Sequence, residues 1–342
     1  MRNHRSLLAL IAAIAAAGTL VGAQGGQTPV KPDSPNVTRH LEAARTAAGT
    51  EWTQAYDFIC APNQTRANRP DDPEFEPTKL FDNLYAIGRI GTTVYAITTS
   101  DGIILIDSGY ADQLDTVLLP GLRKVGLDPA RVKYVLLGHG HGDHFGGAGY
   151  FQDRGAHVVL SAADWDLIEN PPAPRAGAAG GGAPGGGAAP AAAAAQPKPP
   201  RRDMVAVEGQ PIALGDMKVT PVSIPGHTPG SLGYVFPVRE GRMTHIAALF
   251  GGSILTPGRI SDEGLQQYVK SVEHFADVTR RMNADVEIQN HPLYDGFDMR
   301  LQALKVRRPG QPNPFVVGKE SYQRFLTVMR ECIYAQLERR KT

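Results

Sequence analysis

The chain has 342 residues, 42% of them hydrophobic and 20% charged, enough apolar material for one large globular domain or two ordinary ones. Its formal net charge is +1, so no global field draws it towards nucleic acid, and a nucleic-acid partner is not expected. Nothing in the composition speaks to an oligomeric state.

At the start, Arg2 and Arg5 precede an apolar run from Leu7 to Leu20, followed by the small residues Val21-Gly22-Ala23. This is the pattern of a signal peptide over residues 1–23. The run is too short and too alanine-rich for a permanent membrane span. The expectation is a secreted or periplasmic protein with no stable span after cleavage. Residues 24–75 are polar and proline-rich, with one helical stretch around His40–Ala55, and read as an N-terminal extension of a main domain covering 76–342.

From Leu80 onward come short apolar runs at Leu84–Ile90, Thr93–Thr98 and Gly102–Ile106, with Gly and Asp between them, as in strands joined by tight turns. Leu114–Val125 has helical spacing, with Gly126 as its stop. Val132–Leu137 reads as a largely buried strand. A helix at Gly146–Arg154, a strand at His157–Leu160 and a helix at Ala162–Ile168 follow. Residues 171–200 are almost entirely Ala, Gly and Pro, with no Asp or Glu, and cannot bury enough surface to offset their ordering entropy. They read as a surface insertion within the domain. Strands resume at Lys218–Ile224, Gly233–Pro237 and His245–Phe250, then a helix at Leu265–Met282, a strand at Asp285–Gln289 and a helix from about Glu320 to Arg339. Two packed sheets with helices outside are expected. Cys60 and Cys332 could join the extension to the last helix in an oxidising compartment, or remain two buried thiols.

The strongest chemical signal is His139-Gly140-His141-Gly142-Asp143-His144, three His and one Asp in six residues directly after a strand. Imidazole is a good zinc ligand, and the glycines let the backbone turn close to an ion. This spacing suits a loop better than a helix face. Two further histidines stand just after strands: His227 in Pro225-Gly226-His227-Thr228-Pro229-Gly230-Ser231, and His291 after Glu287-Ile288-Gln289-Asn290. His157, His245 and His274 have no partner at ligand spacing and are set aside.

These motifs, with Asp101–Asp107 and Gly251–Ser253, run in the order seen in the metallo-β-lactamase superfamily, which the chain resembles from about Leu80 to His291. The resemblance implies an α/β (α+β) fold, a four-layer αββα sandwich with its site at one edge of the sheets. It implies that His139, His141 and His227 hold a first zinc, that Asp143, His144 and His291 hold a second, and that buried Asp107 supports the first loop. Many relatives place an Asp or Cys where this chain has Ser253. A Ser there resembles subclass B3 and implies a substrate-binding role. The implied activity is opening of β-lactam rings by a hydroxide on two zinc ions, with Asp143 catalytic. Such a small-molecule hydrolase, exported to where antibiotics arrive, would confer antibiotic resistance. The alternative is an exported metallo-hydrolase of a lactone, ester or other amide, and Leu255, where several B3 enzymes have a second Ser, keeps it open.

Overall fold

The computed structural model describes residues 32–61, 72–171, 198–255 and 260–341. The expected signal peptide and most of the 171–200 insertion lie outside them. Residues Asp33–Thr342 form one unit.

Among the described residues, twelve strands make two sheets. The first holds β1 (Thr78–Phe81), β2 (Leu84–Arg89), β3 (Thr92–Thr98), β4 (Ile103–Ile106), β5 (Val132–Leu136), β6 (His157–Leu160) and β7 (Met204–Val205), side by side in chain order. The second runs β12-β11-β10-β9-β8, from β8 (Ile212–Leu214), β9 (Met217–Ser223), β10 (Leu232–Glu240), β11 (Met243–Phe250) and β12 (Val286–Ile288).

Alternation along each strand assigns the layers, because successive side chains leave a strand on opposite faces. In β3, Tyr95 and Ile97 pack between the sheets with Tyr234, Phe236 and Leu249, while Val94 and Ala96 face outward. That outer face carries Leu114, Leu118 and Leu122 from the turn Leu114–Leu118 and α3 (Leu119–Lys124). Trp165 of α6 (Ala162–Glu169) joins them. In β10, Tyr234 and Phe236 face inward and Val235 outward. Val235 packs against Phe275 of α7 (Asp262–Arg281) and the apolar face of α9 (Lys319–Arg340). Three apolar layers thus separate four layers of structure, the expected αββα sandwich. Strands such as Ile103–Ile106 are apolar throughout because both faces are covered.

Among its described residues the extension holds two helices where one was expected. Ser34 caps α1 (Pro35–Ala48), whose end is set by Gly49 at φ 54°, and α2 (Thr53–Ile59) follows. Both lie against α9. The Trp52 indole donates to the Ser321 carbonyl at 3.0 Å, and a disulfide joins Cys60 to Cys332. The sequence reading also passed over β1, β7, β8 and α8 (Phe297–Lys305), the three strands being only two to four residues long. The helix expected at Gly146–Arg154 is shorter, α5 (Ala148–Gln152).

The segments that leave β5 and β11 come together at Gly138 and Gly251. A Cβ on Gly251 would lie 2.1 Å from the Leu232 carbonyl oxygen and 2.9 Å from Gly138 Cα, so only glycine permits this approach. The segments leaving β4, β5, β9, β11 and β12 therefore open onto one edge, and they carry Asp107, His139–His144, His227, Ser253 and His291.

Candidate metal centre

His139 and His141 lie on the segment after β5, and Asp143 and His144 on one helical turn, α4 (Gly142–Phe145). The expected loop is therefore half helix, which turns Asp143 and His144 inward to 7% and 0% exposure. The structure brings all six predicted ligands together. His227 Nε2 lies 3.1 Å from both His139 Nε2 and His141 Nδ1. His144 Nε2 lies 3.1 Å from His291 Nε2, with Asp143 Oδ2 at 3.5 and 3.7 Å from those two atoms. His139 stands between the groups, its ring centroid 3.9 Å from that of His144.

The far nitrogens decide what these atoms are. His139 Nδ1 lies 2.6 Å from the Gly251 carbonyl and His291 Nδ1 2.5 Å from the Gly91 carbonyl. A carbonyl only accepts, so both Nδ1 atoms carry hydrogen and both Nε2 atoms present lone pairs. His144 Nδ1 meets the Asp107 carboxylate at 2.7 Å, with the same result. The Nε2 lone pairs of His144 and His291 thus face each other at hydrogen-bond distance with no proton to share in the neutral state, an arrangement that fits a cation between them.

Asp107 is fully buried and at φ 61°. It accepts from the Gly138 amide at 2.7 Å and the Asn290 side-chain amide at 3.1 Å as well as holding His144. Asn290 was not singled out in the sequence, although it directly precedes His291. Asp164 was also missed: its carboxylate accepts from the Gly140 and Gly230 amides and the Thr228 hydroxyl. Burial pushes its carboxyl up, opposed by those three donors. Ser253, on the segment after β11, is 1% exposed, its carbonyl accepting from the Tyr268 hydroxyl at 3.1 Å. Leu255 is buried at 0%. His157, His245 and His274 pair with Asp203, Asp285 and Glu208, away from the centre.

Burial, reinforced by the surrounding imidazoles, holds His139 and His227 well below the ordinary imidazole value of 6.5. In chelator-stripped protein the unfolded chain then binds protons below about pH 6.5 that the folded chain does not. Stability therefore falls as pH drops from 6.5 towards 5, by up to about 1.4 kcal/mol per pH unit for fully buried His139. Melting curves of stripped wild type and His139→Gln over that range check this. Equal slopes for the two proteins would count against it.

A two-sheet sandwich with imidazoles and a carboxylate converging at one edge defines a metal-binding hydrolase fold. Residues 87–242 match the Metallo-beta-lactamase superfamily, and the chain carries that superfamily's fold. The match includes five of the six converging residues, all but His291. The structure is similar to that of BJP-1, a subclass B3 metallo-beta-lactamase of Bradyrhizobium japonicum. The two are 25% identical, with 76% of this chain and 92% of that one covered at a TM-score of 0.59. It is also similar to native FEZ-1 metallo-beta-lactamase from Legionella gormanii, 21% identical, covering 80% and 99% of the two chains at a TM-score of 0.64. Ribonuclease J of Mycoplasma pneumoniae is 35% identical over 79 residues, 22% of this chain, and the matched part spans only 14% of that protein's length.

Among the described residues, no helix is long and apolar enough to cross a membrane.

Proposed function

We propose that this chain is an exported, zinc-dependent hydrolase that opens β-lactam rings in the manner of subclass B3 enzymes. The observation that carries this is the paired ligand set, His139/His141/His227 and Asp143/His144/His291, with Ser253 and neither Asp nor Cys after β11. The structural likeness to BJP-1 along 92% of that chain supports it. Five imidazoles and one carboxylate favour zinc over iron or manganese. The first triad would hold one ion and the second triad another. When bound, the ions would supply Lewis acidity and a water acidic enough to attack near neutral pH.

The chain's own residues do the rest. The Gly251 and Gly91 carbonyls and Asp107 keep the rings of His139, His291 and His144 turned with lone pairs inward. Asp143 accepts a hydrogen bond from the attacking water and orients it towards the substrate carbonyl. The disulfide, of a kind that persists in oxidising compartments, supports export.

A second reading has its own support. Ser253 is 1% exposed and Leu255 is apolar and buried, so neither presents an open hydroxyl to a substrate carboxylate. That favours a lactone, ester or simple amide without one. One panel separates the readings: zinc-loaded protein assayed on a penicillin, a cephalosporin, a carbapenem and a simple lactone, with and without chelator. Chelator-sensitive β-lactam turnover is expected. Turnover of the lactone alone would replace the β-lactam reading, and chelator-insensitive turnover would remove the metal from the reaction.

A further inference from the structure

Asp164 stands on neither segment of the metal centre, yet it joins two of them. It is the third residue of α6, whose N-cap Ser161 accepts from the Asp164 amide at 3.2 Å. Its own carboxylate, fully buried, reaches out of the helix. Oδ2 accepts from the Gly140 amide at 2.7 Å, and Gly140 lies between His139 and His141. Oδ2 also accepts from the Thr228 hydroxyl at 2.7 Å, and Oδ1 from the Gly230 amide at 2.8 Å, and these two residues follow His227.

The hydroxyl directions follow from this. A carboxylate only accepts, so Thr228 gives its proton to Asp164. Ser231 Oγ, 2.6 Å from Thr228 Oγ1, must then donate to it, while accepting from the Thr228 amide at 3.1 Å. The ring closes in one sense only. Both glycines are needed for this contact: a Cβ on Gly230 would lie 2.8 Å from Asp164 Oδ1, and one on Gly140 2.9 Å from the Asp164 carbonyl oxygen. The two segments thus approach the same carboxylate through bare backbone.

We propose that Asp164, acting with Thr228, is the positioning residue of the first triad. It sets the separation of the His139/His141 segment from the His227 segment. Asp107 does the corresponding work for His144, and through Asn290 for the turn that carries His291. Metal retention at the first triad then depends on Asp164, and retention at the second does not. The inference rests on the metal reading above.

Asn in place of Asp164 keeps the shape but turns one acceptor oxygen into an NH2 that faces a donor already there. The test measures zinc retained after dialysis against a competing chelator, together with circular dichroism and melting, for wild type, Asp164→Asn, Thr228→Val and Thr228→Ser. Each is also made in a His291→Ala background, which leaves the first triad intact, and in a His227→Ala background, which leaves the second donor set. Expected is a 10- to 100-fold weaker zinc affinity for Asp164→Asn and Thr228→Val in the His291→Ala background. Their affinity in the His227→Ala background should stay within about twofold, and Thr228→Ser, which keeps the hydroxyl, should match its parent. Equal weakening in both backgrounds, no weakening in either, or Thr228→Ser behaving like Thr228→Val would overturn the proposal. If Asp164→Asn fails to fold, the two Thr228 variants decide alone. Wild type that retains no zinc at all would instead overturn the metal reading, and this inference with it.

Discussion

Asp143→Asn is expected to yield a folded protein whose turnover of its substrate is lower by more than about 100-fold. The substitution preserves side-chain volume at a position only 7% exposed, so packing around α4 survives. What changes is charge and basicity. Oδ2 stands 3.5 Å from His144 Nε2 and 3.7 Å from His291 Nε2, as the sole anionic donor among six. An amide binds a dication weakly and is a poor acceptor for the proton of an attacking water, so one substitution removes both contributions. Steady-state kinetics beside a melting curve check the result. Near-normal kcat in a variant that melts like wild type would refute the role given to Asp143, whatever the substrate proves to be.

Much of the centre was legible in the sequence because its chemistry is locally concentrated. His139 to His144 are six consecutive residues, and His227 and His291 each stand just past a strand, so short-range pattern reached them. The sandwich was legible for a similar reason: Val94 to Ile97 alternate between two apolar layers, and Ile103–Ile106 is apolar on both faces. The supporting residues were hidden because their roles exist only between segments. Asp164 takes its donors 24 and 66 positions away, and by itself reads as an acidic residue in the first turn of a helix. Its nearest signal was the Ser161-x-x-Asp164 spacing of a capping box, which marks a helix start and says nothing of Gly140. Asn290 likewise has meaning only through Asp107, 183 residues before it, and the Gly251 carbonyl, 39 residues before it. Gly251 drew notice as part of a motif, but its need to meet Gly138 without a side chain depends on both sheets being in place.

Reducing the Cys60–Cys332 bond, or replacing both residues with Ser, is expected to lower the melting temperature by on the order of 10 °C. The bond spans 272 residues, and in the chain-entropy description a loop of that length restricts the unfolded ensemble by about 5 kcal/mol. Both cysteines are buried, at 5% and 0% exposure, so Ser at each site also buries a hydroxyl where a sulfur packed. Native contacts of the two N-terminal helices oppose the loss without replacing the bond: the Trp52 indole donates to Ser321, and Arg339 donates to the Cys60 carbonyl at 2.9 Å. The effect should extend towards the metal centre. Phe58, two residues before Cys60, stacks on Tyr294 at 4.9 Å with 6° between the ring planes, and Tyr294 follows His291 by three residues. Fastening α2 to α9 therefore also covers one face of the turn that carries a metal-centre histidine. Melting with and without reductant, with thiol titration to prove that the bond is open, measures the effect. An unchanged melting temperature in protein with two titratable thiols would mean that the helices hold the extension without the bond, and that the long loop contributes little.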